Sequence, residues 1–256
     1  MNVRFLGAHN CESQSSKCIS LLIDNALVVD AGGLTSSLSF AAQEEIKAIL
    51  LTHHHYDHIK DVPAIAINLF LRGKTISIYS TQSVYDAIVT HLLNDKLYPN
   101  FLKQPPENPT VKFTILEPYR TEQVGCYSIL AIPVKHTYLS VGYRITSGDG
   151  KELFCITDTG PGLADCWERI SPQLLIIPVT GSNKYEKFAG ETGHLTPSLL
   201  KQELASFRKI KGYLPRVITI HMNPMLEKEI EAEIAAVSQD LNGQITLAYE
   251  GMQALV

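Results

Sequence analysis

The chain has 256 residues, 45% of them hydrophobic and 19% charged, with a formal net charge of −4. That composition supplies a core for one large domain or two small ones, and no apolar run approaches the roughly 18–20 residues that cross a bilayer. No Lys and Arg cluster stands out, which disfavours an extended nucleic-acid footprint.

The five cysteines, Cys11, Cys18, Cys126, Cys155 and Cys166, include no CxxC pair. Their odd number points to reduced thiols in a cytoplasmic protein rather than a disulfide framework, with a Cys11–Cys18 pair or metal site as the lesser alternative. Met1 to Gly7 is short and soon polar, so it reads as a first strand and not as a signal peptide.

Val3 to Leu6 is that strand, and a polar loop from Gly7 to Lys17 follows. Cys18 to Ile23, the Asp24-Asn25 turn and Ala26 to Asp30 read as a hairpin, closed where Gly32 and Gly33 permit an abrupt turn. Leu34 to Lys47 has helical spacing, and Ile49 to Thr52 is a strand. Asp61-Val62-Pro63 reads as a helix start, with Asp61 as N-cap and proline in the first turn. That helix runs to about Leu71 and stops at Gly73. Thr75 to Tyr79 is a strand and Ser83 to Leu93 a helix.

Asn94 to Thr110 carries Pro99, Pro105, Pro106 and Pro109 and no periodic pattern. Structureless connections beyond about 12–15 residues are uncommon in compact domains and often serve as lids. Tyr98 and Phe101 could cover a substrate, pack a dimer or lie on the domain's own surface. Strands then return at Val111 to Leu116, Tyr127 to Val134, Ser140 to Thr146, Glu152 to Thr157 and Leu174 to Val179. Pro197 to Ile210 is a helix, Val217 to Ile220 a strand, Leu226 to Asp240 a helix and Ile245 to Ala248 a last strand. The alternation argues an α/β protein. No linker divides it, so residues 1–256 are expected to form one domain.

The densest chemistry follows the apolar run Ile46 to Leu51: His53-His54-His55-Tyr56-Asp57-His58. Alternate side chains of an extended chain share one side. His53, His55 and Asp57 should therefore converge, with His58 joining them if the chain turns and His54 pointing away. Histidine is a frequent metal ligand, and burying it without a partner is costly. Three later residues, His136, Asp158 and His221, each stand just beyond an apolar strand. Singly each is as readily a loop residue as a ligand; with the cluster they would complete a site. Asp30, at the hairpin's end, either holds the second nitrogen of a ligand histidine or turns the local backbone before the glycines. His9 and His91 read as surface or loop residues.

His53-x-His55-x-Asp57-His58 at a strand end resembles the HxHxDH signature of the metallo-β-lactamase superfamily. His136, Asp158 and His221 match that family's third histidine, bridging aspartate and last histidine in order and context. The resemblance implies a four-layer αβ/βα sandwich with two divalent metal ions at one edge. His53, His55 and His136 would hold the first, Asp57, His58 and His221 the second, with Asp158 between them. It also favours the ligand-holding role for Asp30. Asp61 stands where family members often carry glycine, so the exit from this loop is expected to differ. Imidazole with carboxylate suits zinc, with manganese or iron as alternatives. Two such ions lower the pKa of a bound water towards about 7, so a metal-bridging hydroxide is the expected nucleophile and Asp57 part of the catalytic set.

Gly193-His194-Leu195-Thr196-Pro197 places a histidine just before a helix whose N-cap would be Thr196. A helix N-terminus attracts anions, and an imidazole beside it could protonate a leaving oxygen; otherwise His194 is a surface residue of the cap. The segment resembles the extra histidine motif of the ribonuclease Z and class II cyclic-nucleotide phosphodiesterase branches. His221-Met222-Asn223-Pro224 and Glu250-Gly251-Met252 resemble the tail of the phosphodiesterase-like group. Glu191, three positions earlier, could orient His194. Gly160 to Gly193 lacks a basic, glycine-rich arm of the kind that grips transfer RNA. The expected function is hydrolysis of a small phosphodiester such as a cyclic nucleotide, with His194 assisting the leaving group. Alternatives are a ribonuclease Z-like RNA hydrolase, a thioesterase or lactamase, and a non-hydrolytic diiron oxygen-binding domain. No membrane partner is expected, nucleic acid is not favoured, and a homodimer is open.

Overall fold

In the computed structural model, which describes every residue except Thr137, the apolar runs become strands of two seven-stranded sheets. The first holds β1 (Asn2–Gly7), β2 (Ser20–Ile23), β3 (Leu27–Val29), β4 (Ala48–Leu50), β5 (Ile76–Ser80) and β6 (Val111–Ile115). The second holds β7 (Thr121–Val124), β8 (Tyr127–Val134), β9 (Ser140–Thr146), β10 (Glu152–Cys155), β11 (Leu174–Pro178), β12 (Arg216–Ile220) and β13 (Ile245–Leu247). β14 (Gln253–Leu255) returns to the first sheet and pairs antiparallel with β1. Each sheet begins with antiparallel strands and ends with parallel ones, changing over at β3 in the first and β10 in the second.

Parallel pairs need crossover connections, and helices supply them. α1 (Phe40–Glu45), α2 (Tyr56–Ile59), α3 (Val62–Phe70) and α4 (Gln82–Ala87) serve the first sheet. α5 (Ala164–Glu168), α6 (Glu186–Glu191), α7 (Pro197–Lys211) and α8 (Glu227–Asp240) serve the second. The period-two alternation of the short strands assigns the layers. Leu21, Ile23, Val29 and Leu50 join a core shared with Ile129, Tyr143 and Phe154 of the second sheet. Leu22, Val28 and Ile49, one residue out of phase, pack with Ile65, Ala66 and Leu69 of α3. Leu200, Leu204 and Phe207 of α7 belong to the core of the second sheet. The result is the αβ/βα sandwich, with strand ends of both sheets meeting at one edge.

Several local expectations change. Residues 34–47 form a short 3-10 turn at Thr35–Ser37 and then α1, because Ser39 caps α1 by accepting from Ala42 N at 3.3 Å. Asp61 does not cap α3. Its backbone is already helical, and its carboxylate accepts from Thr35 N at 2.7 Å and Thr35 Oγ1 at 2.9 Å. Gly32 is required by close approach, since a Cβ there would lie 1.9 Å from the Asp57 carbonyl oxygen. β7 and β14 were not evident from sequence; both are edge strands, which need no continuous apolar face. In residues 94–110, Phe101 is buried 5.2 Å from the Phe70 ring, in the helical layer of the first sheet. No helix among the described residues is long and apolar enough to cross a membrane.

Candidate metal centre

The ligand cluster is built by a short helix, not by an extended strand. β4 ends at Leu50, and His55 is the N-cap residue of α2, with φ −63° and ψ 147°. Asp57 and His58 therefore lie in the first turn of α2, and the turn, not strand alternation, swings Asp57 inward. The hairpin end grips this helix: Ala31 N donates to His58 O at 2.7 Å. His136 follows β8, Asp158 follows β10 and His221 follows β12. His221 has a left-handed backbone, φ 62°, and its N–H donates to Ala8 O at 2.6 Å.

All seven residues expected to ligate come together, and His194 joins them. The ligand atoms of His53, His55, His136 and Asp158 lie within 4.8 Å of one another. Asp57, His58 and His221 form a second such group, and Asp158, His194 and His221 a third. Asp158 Oδ2 lies 3.2 Å from His136 Nε2, 3.5 Å from His194 Nε2 and 3.8 Å from His221 Nε2. Asp57 Oδ2 lies 3.2 Å from His221 Nε2 and 3.3 Å from His58 Nε2.

These residues fit divalent cations. His53 Nε2, His58 Nε2 and Asp158 Oδ1 are buried and have no hydrogen-bond partner. A buried polar atom without a partner costs about 1–3 kcal/mol, and cations held by the two groups that contain His53 with Asp158 and His58 with Asp57 would account for all three. Imidazoles with two carboxylates form a donor set for zinc, manganese or iron.

The outer nitrogens are held as ligand histidines require. His58 Nδ1 is 2.7 Å from Asp30 Oδ2. That buried carboxylate also accepts from Thr52 N at 2.8 Å, Thr52 Oγ1 at 2.8 Å and Thr157 Oγ1 at 2.7 Å. His53 Nδ1 is 3.1 Å from Thr52 Oγ1, and His221 Nδ1 is 3.0 Å from Thr180 Oγ1. His136 Nδ1 donates to the Gly193 carbonyl at 2.9 Å.

Sequence reasoning missed Thr52, Thr157, Thr180 and Gly193. Thr52 and Thr157 carried a usable signal, since each immediately precedes a residue of the cluster at a strand end. Thr180 carried none. Two side-chain expectations are corrected. Glu191 does not orient His194. It is exposed and 3.9 Å from Lys187 one turn away on α6, while His194 Nδ1 is 3.1 Å from Thr192 Oγ1. His9 is no surface residue: it is buried, with Nδ1 2.7 Å from Glu250 Oε1. His54 lies in none of the three groups and packs on Tyr138, ring centroids 4.8 Å apart. All five cysteines are free.

Burial and neighbours divide the charges. Burial, then His58, holds His53 well below its usual pKa, and burial, then His136, lowers His55 to about 4. Burial works against the His58 cation too, yet Asp30 and Asp57 raise it to about 10. Burial pushes Asp57 and Asp158 upward, but the surrounding imidazoles hold both well below the carboxylate range. His194 is raised, against burial, by Asp158. The cluster thus offers ionised carboxylates at neutral pH. A cavity of about 500 Å³ adjoins it, with His194 and Thr180 in its wall.

Two sheets between helical layers, with this cluster where their strand ends meet, define the class. The chain belongs to the metallo-β-lactamase superfamily, a family of metal-dependent hydrolases: residues 28–222 match the family model for the beta-lactamase superfamily domain. Among solved structures it is similar to unliganded yeast PDE1, with TM-score 0.84 and 15% identity, covering 100% of this chain and 99% of that one. It is also similar to the metallo-beta-lactamase fold protein YhfI from Bacillus subtilis, with TM-score 0.77 and 16% identity over 99% and 98% of the two chains. At such identities the likeness concerns the fold. A curated relative, octanoyltransferase of Porphyromonas gingivalis, is 25% identical over 222 residues, 85% of this chain and 39% of that protein. The chain thus spans about two fifths of that relative.

Proposed function

We propose that the protein hydrolyses a small phosphodiester, such as a cyclic nucleotide, at a dinuclear metal centre. His53, His55 and His136 would hold one ion, Asp57, His58 and His221 the other, and Asp158 both. Zinc suits the donor set best, with manganese and iron as alternatives. When bound, the ions supply positive charge for the phosphoryl oxygens and an acidified water.

The observation that carries the phosphodiester reading is the placement of His194. Its ring stacks on His221 at 6.1 Å with an interplanar angle of 16°, and its Nε2 faces Asp158. Thr192 fixes the other nitrogen. The imidazole therefore stands at the metal cluster and in the cavity wall at once, where it can give a proton to a departing alkoxide or aryloxide. Asp57 belongs to the catalytic set as the carboxylate that would share the second ion with His58 and His221. The similarity to yeast PDE1 and the resemblance of the Gly193–Pro197 segment agree with this reading. The free cysteines accord with a cytoplasmic location.

The test is His194→Ala on bis-p-nitrophenyl phosphate, with a thioester in parallel and metal content measured. We expect phosphodiester turnover to fall on the order of 10²–10⁴-fold with metal retained. An unchanged rate would favour carbonyl chemistry, which needs no such acid, and metal loss would make His194 a ligand instead. Steep salt dependence of binding would instead favour the RNA hydrolase alternative.

A further inference from the structure

The cavity beside His194 has a composition of its own. Tyr185, Phe188, Met225 and Leu226 line it together with Asn10 and His194. Among the described lining residues no lysine or arginine occurs. The nearby cation Lys184 is engaged, 2.8 Å from Glu229 Oε1 and 5.2 Å from the centre of the Tyr185 ring. Phe188 is 66% exposed and Met225 85%. Large apolar side chains gathered and open around one cavity mark a surface meant to be covered.

We propose that this cavity binds the uncharged planar part of the substrate, a nucleobase or aryl group, with Phe188 and Tyr185 against it. The proposal rests on the phosphodiester reading and names what the phosphate carries. Three physical points support it. Aromatic walls favour a ring by stacking and area burial together. A further phosphate would enter a wall lacking fixed positive charge, and an unpaired anion is costly to desolvate. His194 belongs to both the cluster and the wall, so a group seated in the cavity is already joined to the point of bond cleavage. A volume of about 500 Å³ lies within the range of small-molecule sites and accommodates a nucleoside.

The experiment uses the metal-loaded protein, with adenosine as probe and bis-p-nitrophenyl phosphate as substrate. Adenosine should inhibit competitively. Phe188→Ala, at an exposed position that does not threaten folding, should raise both the adenosine inhibition constant and the KM about tenfold, the scale of one lost aromatic contact. Its kcat should stay within about twofold, because the imidazole and carboxylates are untouched. Hydrolysis that continues with no adenosine binding, or with no effect of Phe188→Ala, would overturn the pocket and leave the phosphodiester reading standing. Phe188-dependent adenosine binding, seen by saturation-transfer NMR with no phosphodiester cleaved, would overturn that reading and leave an aromatic-binding cavity of another hydrolase.

Discussion

Gly193 presents its carbonyl oxygen 2.9 Å from His136 Nδ1, from a backbone with φ 75° where a Cβ would lie 2.9 Å from the same nitrogen. The partner that orients this histidine is thus a main-chain atom that approaches closely enough only because the residue is glycine.

Gly193→Ala should therefore act on the metal centre although residue 193 ligates nothing. The left-handed backbone costs an alanine about 1–2 kcal/mol, and the new methyl group pushes on His136. Loss of such an outer partner weakens metal binding about 10–100-fold. Calorimetric titration with zinc would measure this, and unchanged affinity would show that His136 does not need its carbonyl partner.

Asp30 ties the two sheets together at the site, receiving Thr52 from the first and Thr157 from the second while bonding His58. Asp30→Ala should leave the His58 imidazole and the Thr52 N–H without their acceptor and the Thr52 and Thr157 hydroxyls with each other, 2.8 Å apart. Breaking a buried charged pair costs about 3–5 kcal/mol, so thermal unfolding of the metal-free variant should occur at markedly lower temperature. A melting temperature within experimental error of the parent would show that this network contributes specificity and not stability.

His9 and Glu250 should make stability depend on pH. Burial opposes the His9 cation, but Glu250 and Glu227 raise its pKa above 6.5. Burial likewise opposes ionised Glu250, and His9 lowers it below 4.5. A raised folded pKa contributes stability that is complete below the unfolded value and is lost as pH rises through the folded one. A lowered carboxyl pKa contributes stability above its unfolded value and loses it on acidification. The pair is therefore strongest between about pH 4.5 and 6.5 and weakens towards alkaline pH. Glu250→Gln should cost more in urea unfolding at pH 6 than at pH 9. Equal costs would assign the role of Glu250 to its bond from Lys17 N, 2.9 Å away.

Chelation should destabilise the protein as well as inactivate it, because His53 Nε2, His58 Nε2 and Asp158 Oδ1 then lose the group they face. An ion present at one hundred times its Kd stabilises by about 2.7 kcal/mol per site. For a chain of this size that corresponds to a shift of roughly 5–10 °C per site. Scanning calorimetry before and after dialysis against chelator, then with zinc, manganese or iron restored, reads both the shift and the preferred metal. A melting temperature indifferent to all three would remove the metal centre itself.

Part of the site is legible in the sequence because its signals are local. Apolar runs mark strands buried on both faces, and Tyr127–Val134 and Ser140–Thr146 occur with the expected bounds. His136, Asp158 and His221 were recognisable as polar residues set where such runs leave the core. The edge strands Thr121–Val124 and Gln253–Leu255 escaped, since a strand with one free edge and solvent nearby need not advertise itself in composition. Asp61 looked like a cap, but Thr35, 26 positions away, competes for its carboxylate.

The amino-acid order alone determined the α/β alternation and the cluster from His53 to His58, because hydrophobic periodicity and ligand spacing are properties of short segments; the four-layer sandwich and the assignment of His136, Asp158 and His221 to the same centre came from the resemblance to the metallo-β-lactamase superfamily. The tertiary structure alone decided which nitrogen of each imidazole turns inward, that Thr192 and not Glu191 meets His194, and that His9 is buried against a carboxylate 241 positions away. Those choices belong to contacts between loops that become neighbours only when both sheets have closed on their shared core.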